Sequence, residues 1–248
     1  MIQQRKNNIR NDYQYLDSDY IYTNPQNEVL RNLLGIEVTN VIERLACRLR
    51  RNDEEPNIEL AEYLCNNGDT IGIKEIVEGF KGADKAVAND CIKVLYEIGE
   101  RNPALICDYA DDFISGLYSK NNRLVWGCMT ALARIAYLAS QQIYEKLDVI
   151  IFAYENGSTI TVDNSISVFA GLCKASDEYA ETVLPILLKH LRKCRPKEVP
   201  QHAERCSTCF TSKNATAFIE VLEYRSPHLA SSGQSRINKL LKTLHGLQ

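Results

Sequence analysis

The chain has 248 residues, of which 45% are hydrophobic and 25% charged, and its formal net charge is −3. This composition suits a water-soluble chain able to bury a substantial core, and no apolar run approaches the roughly 18 residues needed to span a bilayer. The opening residues, MIQQRKNNIRNDYQYLDSDY, hold no apolar stretch of a secretory signal. The expected location is therefore cytoplasmic, with the nine cysteines reduced and mostly buried.

Charge is unevenly spread. Residues 53–112 carry fifteen Asp/Glu against five Lys/Arg, and residues 189–248 carry eleven Lys/Arg against four Asp/Glu. One end is thus acidic and the other basic, and the basic end can steer an anionic partner.

In chain order, DYIYTNPQNEVLRNLLGI (19–36) predicts an extended arm running into a short amphipathic helix that docks on something apolar, either the chain's own first repeat or a partner. NVIERLACRLRR (40–51) and NIELAEYLCNNG (57–68) predict helices, with RRNDEEPN between them as a turn or linker. The division expected is an N-terminal arm over 1–56 and a repeat array over 57–248.

The array is read from a period of 37 residues. VANDCIKVLYEI (87–98), LVWGCMTALARI (124–135), TVDNSISVFAGL (161–172) and EVPQHAERCSTC (198–209) align without a gap. Their columns read Ala88, Val125, Val162, Val199; Ile92, Met129, Ile166, Ala203; Leu95, Leu132, Phe169, Cys206; and Ile98, Ile135, Leu172, Cys209. Offsets of three and four residues make one stripe of a helix. Preceding helices obey the same period: Ile76, Phe113, Ile150, Leu187, then Val77, Ile114, Ile151, Leu188, then Phe80, Leu117, Tyr154, Leu191. Short polar stretches such as KGADK and SKNNR join each first helix to its second. NATAFIEVLEY (214–224) and SSGQSRINKLLKTL (231–244) predict a capping repeat with Ile237, Leu240, Leu241 and Leu244 inward.

Constant spacing with no strand signal predicts an all-α, right-handed α-solenoid of helix pairs. Over about residues 68–245 the pattern resembles the HEAT-like repeat family. That resemblance implies a concave surface lined by second helices and a role in binding other molecules.

Trp126, the only tryptophan, breaks the apolar rule. Its column reads Asn89, Trp126, Asp163, Pro200, polar or turn-like elsewhere and placed at the start of second helices. Arg123, Trp126, Asp163, Asn164, Arg195, Lys197, Gln201 and His202 are therefore the candidate partner-binding residues along one rim. The expected function is a non-enzymatic scaffold that binds a protein or peptide there. The alternative comes from resemblance to HEAT-like alkylpurine DNA glycosylases, which use tryptophans and an aspartate on a basic concave surface; Trp126 and Asp163 are the matching pair. A duplex-binding protein wants a continuous basic stripe, and only KHLRKCRPK (189–197) offers one, so nucleic acid ranks second as a partner.

Two further patterns bear on chemistry. Residues 19–36 resemble the segment preceding the catalytic core of Fic-type nucleotidyltransferases, through Val29, Leu30, Asn32, Leu34, Gly35 and Ile36. In HLASSGQSR (228–236), His228, Gly233 and Arg236 fall at that family's anion-loop spacing, whereas its remaining positions are absent. Cys194, His202, Cys206 and Cys209 offer zinc-type donors, but Cys206 and Cys209 stand in the core columns of Leu132 and Ile135, which predicts core filling rather than a metal. No catalytic residue, cofactor or metal is assigned from the sequence. The acidic cluster Asp108, Asp111, Asp112 reads as a solvated face.

Overall fold

The computed structural model describes residues 40–248; the arm segment 19–36 and its Fic-like pattern lie outside the described residues. Twelve α-helices follow in order, with short 3-10 turns between some of them and no strand among the described residues. The first four are α1 (Glu55–Asn67), α2 (Thr70–Lys81), α3 (Lys85–Arg101) and α4 (Ala110–Gly116). Then come α5 (Asn122–Ile135), α6 (Ser140–Glu145), α7 (Leu147–Asn156) and α8 (Thr159–Ala175). The array closes with α9 (Asp177–Lys193), α10 (Val199–Cys206), α11 (Ala215–Arg225) and α12 (Ser231–His245).

The polar joints supply the caps. Asp84, Asn121 and Ser158 each accept from a backbone N–H in the first turn of α3, α5 and α8, satisfying donors that have no partner inside a helix. Asp69 does the same for α2. Gly68 ends α1 with φ 57, the left-handed geometry glycine adopts without a Cβ penalty.

Helices α1, α3, α5, α8, α10 and α12 stack neighbour on neighbour as one continuous layer, the second helices of the repeats. The other layer is looser: α2 packs on α3, α4 on α5, α7 and α9 on α8, and α11 on α12. The second helices thus form the continuous layer of an α-solenoid, which we call the inner layer. Gly127 permits one such close approach: a Cβ there would lie 2.8 Å from the Ile92 side chain on α3.

The apolar columns form the core. Ile76, Phe113, Ile150 and Leu187 are 0% exposed, as are Leu95, Leu132, Phe169 and Cys206. In the capping repeat Ile237 and Leu244 are fully buried, with Leu240 and Leu241 packed against the core. HLASSGQSR runs from the last residue of a 3-10 turn into the start of α12: Gly233 faces Pro200, and Arg236 pairs with Glu204.

Two details differ from the sequence reading. Residues 40–51 do not form a helix; only Val41–Arg44 make a 3-10 turn, and Leu45 is extended. The reason is competition for N–H groups. Ala46 N–H donates to Asn57 Oδ1 at 3.0 Å and Cys47 N–H to Asp90 Oδ2 at 2.8 Å, so neighbouring helices take the donors a helix would need. Val41 and Leu45 still enter the common core, so this stretch packs with the first repeats. Secondly, the repeats are not plain pairs. Short 3-10 turns (Pro103–Leu105 and Cys107–Tyr109) precede α4, and α6 precedes α7, giving these two repeats a third helical element.

Leu132 lies at 0% exposure in α5, between α3 and α8. Leu132→Ala is expected to lower stability by about 2–5 kcal/mol in urea unfolding followed by circular dichroism, with an unchanged helical spectrum before the transition.

Candidate functional site

Two groups of side chains stand apart from the core. The first lies at the start of α5 on the inner layer. Trp126 is half-buried and packs against Tyr96 of α3, ring centroids 6.0 Å apart and tilted 47°. The Arg123 guanidinium sits 5.9 Å from the indole and Lys93 4.9 Å from the Tyr96 ring. Arg123 pairs with Glu54 at 2.6 Å; Lys93 bonds Glu97 at 2.8 Å and Glu54 at 3.1 Å; Arg101 bonds Glu97 at 2.7 Å. Burial alone would discharge Lys93, but its two carboxylate partners outweigh that and raise its pKa above the usual lysine value. The result is an aromatic pair framed by fixed, alternating charges.

Along the same layer Asn164 is buried. Its amide donates to Thr130 Oγ1 at 2.9 Å and to the Ile160 carbonyl at 3.0 Å, which ties α8 to α5. Arg205 of α10 reaches Ser167 of α8 at 2.7 Å. Asn164 is thus a rung between repeats rather than a free rim residue. His202 is likewise 1% exposed, because its column (Cys91, Cys128, Ser165) is a core column. Arg195 turns back onto Glu198, while Lys197 and Gln201 are exposed. Of the eight candidate residues, the structure brings Arg123 and Trp126 together at one place and Asp163 and His202 at another.

The second group surrounds His202. A hydrogen-bonded chain runs from Tyr154 Oη to His190 Nδ1 (2.8 Å), from His190 Nε2 to His202 Nδ1 (2.8 Å), and from His202 Nε2 to Asp163 Oδ1 (2.8 Å). With both imidazoles neutral, one arrangement satisfies every atom: the tyrosine hydroxyl donates to His190, His190 to His202, and His202 to the carboxylate. Burial, with the neighbouring His202 imidazole adding to it, pushes the His190 pKa down to about 4. Cys194 joins the cluster: one donor atom from each of His190, Cys194 and His202 lies within 4.8 Å of the others. A cavity of about 540 Å³ opens beside it, lined by Ile151, Tyr154, Glu155, Lys189, His190 and Cys194 among others.

The sequence reading placed Tyr154 in an apolar stripe and missed His190, although His190 leaves a mark in the repeat. The column of His190 reads Gly79, Gly116, Ala153, His190, and that of His202 reads Cys91, Cys128, Ser165, His202. In the first two repeats these columns touch: a Cβ on Gly79 would lie 2.8 Å from Cys91 Sγ, and one on Gly116 2.4 Å from Cys128 Sγ. In the fourth repeat two imidazoles fill the place of a glycine and a thiol. There α9 leans on α8 and meets α10 only lightly. Cys206 and Cys209 face the core, as the columns predicted.

The C-terminal end of α9 is held from outside its own repeat. Arg225 of α11, 6% exposed, donates to the carbonyls of Leu191, Arg192 and Cys194, closing the end of the helix that carries His190.

No protein-family model and no curated protein matches the chain. Similarity to solved structures is clear. An engineered protein aligns with TM-score 0.59 and 17% identity over 84% of this chain and 98% of that one. A designed armadillo repeat protein in complex with the peptide (KR)4 gives TM-score 0.60 and 13% identity over 90% and 96%. A computationally designed armadillo repeat protein for modular peptide recognition gives TM-score 0.57 and 13% over 89% and 94%. At such identities the likeness shows the fold: a helical-repeat solenoid. No helix of the described residues is long and apolar enough to cross a membrane.

Removing the Arg225 fork takes the side-chain donor from three carbonyls at a partly buried helix end. Arg225→Met is expected to cost about 2–4 kcal/mol in urea unfolding, and Arg225→Lys to recover only part of it, since an ammonium cannot reproduce the planar fork. A loss under about 0.5 kcal/mol would count against this account.

Proposed function

We propose that the protein is a non-enzymatic interaction scaffold that takes an extended protein or peptide segment along its inner layer of second helices. The reading rests on one observation above others: Trp126 and Tyr96 form a half-buried aromatic pair at a column that carries the part-buried polar residues Asn89 and Asp163 in the adjacent repeats, framed by Arg123, Lys93, Glu54 and Glu97. Such a pair offers apolar area at small entropic cost, and its charged frame fixes register; aromatic residues with arginine are the usual centres of binding energy. The solved neighbour in complex with a peptide, and the one designed for modular peptide recognition, lend the reading support.

Charge distribution gives the segment a direction. The acidic excess of residues 53–112 favours a basic stretch on the first repeats, and the basic excess of residues 189–248 favours an acidic stretch on the last. Nucleic acid remains the second reading, and its ground is the basic C-terminal end alone.

The test uses fluorescently labelled (Lys-Arg)4 and (Asp-Glu)4 peptides, alone and joined in one chain, with the intact protein. The joined peptide in its favoured orientation is expected to bind tightest and to weaken as salt rises. Trp126→Ala is expected to reduce its affinity about 30-fold, the equivalent of a ~2 kcal/mol hot spot, with the melting temperature within a few degrees of the parent. Equal binding by the variant, or tighter binding to duplex DNA than to any peptide, would overturn the reading.

A further inference from the structure

We propose that His190, Cys194 and His202 form a binding site for one divalent transition-metal ion, zinc by donor chemistry, bordering the cavity beside α7 and α9. Two imidazole nitrogens and one thiol sulfur come from α9, its C-terminal cap residue and α10, and lie within 4.8 Å of one another. Two nitrogens with one sulfur form a borderline-soft donor set that suits zinc.

The surroundings carry the argument further than the donors do. A metal-binding histidine characteristically donates its other ring N–H to an oxygen that fixes its orientation. Both histidines have that oxygen in place: Tyr154 Oη on Nδ1 of His190 and Asp163 Oδ1 on Nε2 of His202. The remaining nitrogens, Nε2 of His190 and Nδ1 of His202, point at each other across 2.8 Å. On a tetrahedral ion with nitrogens at about 2.0–2.1 Å, two such ligands stand about 3.3 Å apart, so a separation of half an ångström replaces the shared hydrogen by a metal.

The proton balance closes. Without metal, His190 carries its hydrogen on Nε2. With metal, that hydrogen is relocated to Nδ1, where Tyr154 Oη accepts it, and His202 keeps its Nε2–H on Asp163. The only net loss is the thiol proton of Cys194. A metal ion supplies the positive charge that a part-buried thiolate lacks. His190 and Cys194 line the cavity, so a fourth ligand reaches the ion from that side. Lys189 and Lys193 on the same wall favour an anion or hydroxide there over a cationic ligand.

The site is independent of the Trp126 pair, so either reading can fail alone. The experiment takes the full chain, reduced and stripped of metal, and titrates it with Co2+ and then Zn2+. Saturation at one equivalent is expected, with a thiolate-to-cobalt charge-transfer band and the intense visible bands of a four-coordinate ion. Calorimetry in two buffers of different ionisation enthalpy should report one proton released per ion. Zn2+ should raise the melting temperature and a chelator reverse it. Cys194→Ser should remove the charge-transfer band, whereas Cys107→Ser, a thiol remote from the cluster in sequence, should keep it. Asp163→Asn leaves an acceptor for His202 but no charge, and should weaken metal binding about 10–100-fold with little change in the melting of the metal-free chain. Should Cys194→Ser not fold, Asp163→Asn decides. No saturable band, a band retained in Cys194→Ser, or an unchanged affinity in Asp163→Asn overturns the proposal.

Discussion

The structure depends on one constraint: no repeat can bury its own apolar stripe. The side chains of α5 are covered by α3 on one side and α8 on the other, and the same holds at each step of the inner layer. Stability is therefore shared across boundaries, and a 37-residue period persists in the sequence because every boundary needs the same stripe at the same height. Polar rungs supplement the stripe at a boundary: Asn164, in a column that is otherwise Asp90, Gly127 and Gln201, bonds Thr130 across α8 and α5.

The two chemically distinct places on the molecule arise from the same rule broken in opposite ways. At Trp126 one repeat adds a large aromatic, half-buried, where the adjacent repeats carry Asn89 and Asp163. At His190 and His202 the columns lie inside the core, and the fourth repeat inserts imidazoles where the first two repeats set glycine against cysteine. The first departure makes a surface feature. The second makes a buried polar chain, and the cavity lined by Tyr154 and Cys194 stands beside it.

The fold was legible because its core repeats: aligned columns with offsets of three and four leave few alternatives. Boundaries set by long-range hydrogen bonds were not. Nothing local in NVIERLACRLRR tells that Asn57 and Asp90 will take the N–H groups of Ala46 and Cys47. Of the sites, Trp126 was visible as an exception in its column. The histidine cluster was half visible: Cys194 and His202 drew notice, but the donors weighed with them, Cys206 and Cys209, stand in core columns. His190 lies on another helix, and its signal was a histidine in a column of small residues, which matters only once that column is known to face the one carrying His202.

The grip of Arg225 on α9 has a consequence for how the chain is made. Synthesis proceeds from the N-terminus, and nearest-neighbour repeats can fold as they emerge. The end of α9 cannot be finished that way, since the guanidinium that satisfies the carbonyls of Leu191, Arg192 and Cys194 is encoded more than thirty residues later. A nascent chain halted before residue 225 carries a completed Trp126 surface beside an open helix end at His190 and Cys194. The two places therefore mature at different times on the ribosome, the first early and the second only when the capping repeat closes over it.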